Sequence, residues 1–154
     1  MTFFLHKSDT SIALPNIGAM LKANSTLVKL SLLGNKIKGV HDLCIGLKSS
    51  KALGGLDLSD NRIADSDVHE LLDAVAENKS LKYLDVRNCA FGPIDAEKLA
   101  AMKEKQPFLT LLLQDSAGDG KDTYCHWTRH SVILRDSDVK SLAEKLVAQP
   151  PTVV

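Results

Sequence analysis

Residues 53–63 read LGGLDLSDNRI and residues 27–37 read LVKLSLLGNKI, one spacing written twice, 26 residues apart. Leu53, Leu56, Leu58, Asn61 and Ile63 fall on Leu27, Leu30, Leu32, Asn35 and Ile37. A third copy starts 28 residues later at Leu81 and continues through Leu84, Val86, Cys89 and Phe91. A fourth fits from Phe108, with Leu111, Leu113 and Ser116 at the matching offsets. The alternating leucines of each copy predict a short strand with one buried face. A unit this short cannot bury its own leucine row, so a fixed period predicts stacking of unit on unit.

The second half of each unit carries a different period. Val68, Leu71, Leu72 and Val75 lie at i, i+3, i+4 and i+7, the apolar face of a helix. Val40, Leu43, Cys44 and Leu47 repeat that face one unit earlier, and Ala96, Leu99 and Ala100 begin it one unit later. Asp65 or Ser66 is placed to cap the middle helix, with Asp67 favourable in its first turn. Strand and helix alternating in register predict parallel strands and a row of helices. The asparagine closes the motif. After the strand the chain turns and leaves backbone groups without ladder partners, and a side-chain amide both donates and accepts. Asn35 and Asn61 are expected to tie their turns to the next unit, with Cys89 and Ser116 as weaker substitutes.

This L-x-x-L-x-L-x-x-N/C-x-L pattern, carried by residues 27–37, 53–63 and 81–91, resembles the leucine-rich-repeat family. Units of 26 and 28 residues resemble its ribonuclease-inhibitor-like branch, in which each strand is paired with a full helix. The stretch MLKANSTLVKLSLLGNKI at 20–37 is also similar to tropomodulin-type repeat domains, which cap actin filaments. The resemblance implies an α/β fold: a right-handed solenoid of about four to five units. Its curved parallel sheet would be concave, with the helices on the convex face. It also implies a non-catalytic module or scaffold that binds a protein partner, with cytoskeletal, actin-related binding or capping as the alternative.

The expected organisation is a single domain over residues 1–154. Residues 1–26 form a partial N-terminal unit or cap, and 27–52, 53–80 and 81–107 are repeats. Residues 108–150 form a C-terminal repeat with an insertion near 117–132, and 151–154 are a tail. Asp9, Thr10 or Ser11 is placed to cap a first helix with Pro15 in its first turn, while Phe3, Phe4 and Leu5 form either a first strand or a lid over the stack. Near the other end, ILRDSDVKSLAEKL at 133–146 echoes RIADSDVHELLDAV at 62–75, and the separation leaves about 16 surplus residues in the last unit.

Composition narrows the function. The chain has 154 residues, 44% of them hydrophobic, enough for one core. Nineteen basic and nineteen acidic residues give no net charge, so no nucleic-acid or membrane partner is expected. No apolar run reaches membrane-spanning length. Cys44, Cys89 and Cys125 are an odd set without a framework, which fits reduced thiols and a cytoplasmic location. No phosphate-binding glycine motif is present, so no cofactor is expected.

Between the strand leucines stand side chains that face the concave side. Three columns follow: Lys29, Gly55, Tyr83 and Thr110; Ser31, Asp57, Asp85 and Leu112; Leu33, Ser59, Arg87 and Gln114. As a recognition face they offer Asp57 and Asp85 to a basic segment of the partner, Tyr83 as an aromatic anchor, and Leu33 with Leu112 as apolar contacts. As a solvated face they would instead pair Asp85 with Arg87 or Lys29. The insertion holds Asp122, Cys125, His126 and His130, a remote candidate for zinc and a weaker one for a Cys125–His130 nucleophile. The expectation is no enzyme and no metal. Trp127 either covers the end of the stack or serves as a binding anchor.

Overall fold

A computed structural model describes residues 1–5, 14–92, 94, 96–113 and 132–134. They form β1 (Thr2–Leu5), α1 (Leu14–Ala23), β2 (Lys29–Ser31), α2 (His41–Ser49) and β3 (Gly55–Asp57). Then come α3 (Asp65–Glu77), β4 (Tyr83–Asp85), α4 (Ala96–Lys105), β5 (Thr110–Leu112) and β6 (Val132–Leu134). The six strands make one sheet in the order β5-β4-β3-β2-β1-β6, and every neighbouring pair is parallel. The helices stack in sequence order, each against the next. The result is the α/β solenoid that the leucine spacing predicts.

The register follows the repeat. Leu30, Leu56, Leu84 and Leu111 are aligned across β2 to β5. Leu27, Leu32, Leu53, Leu56, Leu58, Leu81 and Leu84 are all but inaccessible, and Leu43, Leu47, Val68, Leu71 and Val75 of the helices join them in one cluster. Each such leucine contributes roughly 1.5–3 kcal/mol by leaving water.

The core thins toward β5. Leu109, Leu111 and Leu113 are only half-buried, Leu99 is half-buried, and Ala96 and Ala100 are exposed. Phe108, the head of the fourth leucine row by sequence, is 81% exposed. Among the described residues no strand pairs beyond β5 to continue the row.

At the other edge, Phe3 and Phe4 belong to a strand: β1 pairs with β2 in the register Thr2 to Lys29. β6 lies outside β1, with Ile133 opposite Phe4. The echo between 133–146 and 62–75 sets Ile133 and Leu134 at a strand exit, whereas both lie within a strand. β5 and β6, both inside the expected final unit, therefore occupy opposite edges of the sheet. The insertion near 117–132, except Val132 at the start of β6, lies outside the described residues, as do the candidate caps Asp9, Thr10 and Ser11 and the rest of the echo from 135 to 146.

The cap of α3 also differs from expectation. Ala64 is the N-cap, in extended backbone, and Asp67 accepts its N–H at 3.4 Å. Asp65, already in the helix, turns its carboxylate to the next unit and accepts the Gly92 N–H at 2.7 Å.

Candidate functional site

Two rows of side-chain amides hold the turns on either side of the sheet. In the first, Asn61 Oδ1 accepts the N–H groups of Asn35 and Ile37, both at 3.0 Å. Its Nδ2 donates to the carbonyls of Leu32, Leu58 and Ser59. Cys89 takes the equivalent place one unit on: its thiol donates to the Leu58 carbonyl at 3.3 Å. The residue before each member has left-handed backbone: Gly34 (φ 69°), Asp60 (φ 55°) and Asn88 (φ 54°). Glycine, aspartate and asparagine are the residues that accept this conformation most readily.

In the second row, Asn24 and Asn78 end matching helix segments just ahead of a strand leucine, a likeness the sequence shows without giving the bonds they make. Asn24 Oδ1 accepts the N–H groups of Thr26 and Leu27, and Asn78 Oδ1 those of Ser80 and Leu81. Asn78 Nδ2 donates to Leu47 and Ser50, and Gln106 Nε2 to Val75 and Asn78. An amide three residues before the strand-leading leucine was the available signal: Asn24 before Leu27, Asn78 before Leu81.

Between the rows lies the outward face of β2 to β5. The register brings together the first two expected columns: Lys29, Gly55, Tyr83 and Thr110, then Ser31, Asp57, Asp85 and Leu112. The second column is not the open surface that alternation predicts. Ser31 and Asp85 are fully buried and Asp57 nearly so, as is Ser59 of the third column, while Leu112 is half-buried. Ser31 Oγ donates to Asp57 Oδ2 at 3.0 Å, and Ser59 donates to Asp57 Oδ1 through its hydroxyl at 2.6 Å and its N–H at 3.0 Å. Arg87 grips Asp85 through Nη2 at 2.7 Å and Nε at 3.0 Å, while the Tyr83 hydroxyl donates to Asp85 at 3.3 Å. Asp85 is thus paired with Arg87, as the solvated-face reading has it, but in a buried setting.

This corrects one expectation: Asp57 and Asp85 do not stand open to a partner's lysine or arginine. Their lone pairs already meet donors from their own chain, because a carboxylate on a crowded strand face must be satisfied locally. The accessible groups are those around them. Lys29 and Thr110 are exposed, and Leu33, Tyr83, Arg87 and Leu112 are half-buried. Gln114, the last of the third column, lies outside the described residues, as do Trp127 and the set Asp122, Cys125, His126 and His130.

Among the described residues, no three His, Cys, Asp or Glu side chains converge as a metal site would require. Burial pushes the Cys44 thiol up to about 12, with Glu70 adding to the shift, and the Cys89 thiol up to about 11. Both thiols are therefore held protonated and poor as nucleophiles. No described helix is long and apolar enough to cross a membrane.

Comparison with known proteins bears on the architecture. The sequence profile of the family described as "Leucine Rich repeat" matches residues 77–100, which run from the end of α3 into α4. A tropomodulin C-terminal domain of Caenorhabditis elegans superposes with a TM-score of 0.64 at 11% identity, covering 95% of this chain and 81% of that one. A structure described as "Leiomodin-1 Actin-Binding Site 2" superposes with a TM-score of 0.53 at 17% identity, covering 92% of this chain and 75% of that one. At these identities the likeness is one of fold.

Proposed function

Because the chain is a leucine-rich-repeat protein, we propose that it is a non-catalytic interaction module that binds a protein partner on the outward sheet face. The observation that carries this reading is the fixed polar column at its centre. Asp57 and Asp85 hold Ser31, Ser59, Tyr83 and Arg87 in place before any partner arrives. Binding to such a surface orders few additional side chains, which is where much of the cost of association lies. Tyr83 supplies the aromatic anchor, Leu33 and Leu112 the apolar contacts, and Lys29 an exposed cation at the rim. A partner presenting a basic segment is the weaker form of this reading, since both carboxylates already accept several bonds.

A second reading is favoured by the fold of one neighbour, whose description names an actin-binding site. On this reading the partner is actin or an actin-related protein. The chain sits in the cytoplasm on either reading, with Cys44 and Cys89 as free buried thiols.

The experiment is affinity capture from native lysate with wild type beside Leu33→Glu/Tyr83→Ala, with co-sedimentation on actin filaments as a parallel arm. The expected result is a partner retained by wild type and lost by the double variant at unchanged melting temperature. A partner held equally by both proteins would move the site off this face. Filament binding lost by the same variant selects the second reading.

A further inference from the structure

The turns that lead from helix ends into strands lie along one edge of the solenoid, bound to one another. Ser80 Oγ donates to the carbonyls of Ser50 and Leu53, and Asn78 Nδ2 to Ser50. The Gly54 N–H donates to the Val28 carbonyl, and the Lys82 N–H to that of Gly54. Lysine dominates this edge: Lys22, Lys51, Lys79, Lys82, Lys103 and Lys105 are all exposed. The acids among them are Glu77, which pairs with Lys48 at 3.3 Å, and Glu104.

Lys22, Lys103 and Lys105 sit in last helical turns, where they complement the helix dipole. Lys51, Lys79 and Lys82 stand beyond the helix ends, where that explanation fails. The opposite edge is mixed, with Lys36, Lys38 and Arg62 among Asp42, Asp60, Asp65 and Asp67. In a chain of no net charge, the lysine edge is a local excess that the fold creates. It also carries exposed apolar groups: Val28 at one end, 46% exposed, and Phe108 at the other, 81% exposed.

We propose that this edge is a docking surface for an acidic protein segment that carries apolar side chains, separate from the outward sheet face. Charge complementarity selects the sign of the partner, and Phe108 supplies the apolar anchor. Single-stranded nucleic acid is drawn to arginine and to aromatic rings interleaved with the cations. The described part of this edge has no arginine, and its one exposed ring stands at the end of the row. A membrane surface calls for a continuous apolar face, and here Val28 and Phe108 are at opposite ends of the edge.

The test is fluorescence anisotropy on the full chain, with a labelled synthetic peptide of glutamate runs interrupted by single leucine and phenylalanine residues. Single-stranded DNA and phosphatidylcholine/phosphatidylserine vesicles are the competing probes. The expected result is saturable, salt-sensitive peptide binding, weakened about tenfold or more by Lys51→Glu/Lys79→Glu/Lys82→Glu and several-fold by Phe108→Ser. Lys36→Glu/Lys38→Glu on the opposite edge, and Leu33→Glu/Tyr83→Ala on the sheet face, leave it unchanged. No peptide binding, equal loss in the opposite-edge control, or tighter binding of DNA or vesicles would each overturn the proposal. All the substituted residues but Leu33 and Tyr83 are exposed, and equal melting temperatures keep the comparison clear of folding defects.

Discussion

Gly46 of α2 lies so close to Gly18 of α1 that a methyl group on Gly46 would stand 2.2 Å from the Gly18 carbonyl oxygen. A methyl group on Gly18 would stand 2.2 Å from the carbonyl oxygen of Asp42. The neighbours in both cases are backbone atoms, which cannot turn aside. The two helices approach at a point where neither has a side chain, and this sets how tightly the first units stack.

Gly46→Ala is therefore expected to force α1 and α2 apart and to cost about 1–3 kcal/mol, the usual range for overfilling a closed interface. Gly18→Ala should behave alike. Gly39→Ala, whose added methyl group meets nothing within 4 Å, is the control and should stay close to wild type. Urea unfolding at constant m-value measures all three. Wild-type stability in Gly46→Ala would show that the helices do not meet this closely.

Much of this architecture is legible in the sequence, and what escaped it shares a cause. The leucine rows and the faces of α2 and α3 were readable because each is periodic along the chain. The asparagine tie instead runs opposite to expectation: Asn61 bonds back to the preceding unit, and Asn35 Nδ2 donates to the Leu33 carbonyl of its own turn. Gly18 facing Gly46 was not readable, since it depends on two helices meeting across units. The burial of Asp57 and Asp85 was hidden for a similar reason. Alternation places them outward, and while the Arg87 pair to Asp85 is local and readable, only the aligned register brings Ser31 to Asp57. β6 beside β1 was out of reach because order along the chain does not set order across a sheet.

The amide row gives a matched pair of expectations. Asn61→Ala removes an acceptor for two buried N–H groups and a donor to three carbonyls. At roughly 1–3 kcal/mol for each buried group left unpaired, the loss should exceed 2 kcal/mol. Cys89→Asn runs the other way. An amide there extends the row by one unit and is expected to stabilise by about 0.5–1.5 kcal/mol. A neutral result for Asn61→Ala would mean that the turns hold without their ties.

Asp60 tests the backbone of the same turn. Its φ of 55° is left-handed, and its side chain is exposed, so packing plays little part. Asp60→Gly should be neutral or slightly stabilising. Asp60→Val should lose about 1–2 kcal/mol, because a β-branched residue fits this conformation poorly. Thermal melts of the two variants give the difference directly, and identical melts would mean the turn is not left-handed in solution.

The buried thiols make the fold sensitive to alkaline pH in a calculable direction. Burial raises Cys44 to about 12 and Cys89 to about 11, from an ordinary value of 9.0. Below pH 9 the thiols are protonated in both folded and unfolded chains, and the contribution is intact. Above it the unfolded chain releases these protons while the folded chain keeps them, so stability falls as pH rises through the window from 9 to about 11 and 12. The limiting slope is about 1.4 kcal/mol per pH unit for each thiol. Urea midpoints should drop over this window, and Cys44→Ala/Cys89→Ala should remove that part of the drop. In a Cys125→Ser background, Ellman's reagent at pH 8 should label neither thiol until denaturant is added. Rapid labelling of the folded chain would show that water reaches the space behind the sheet.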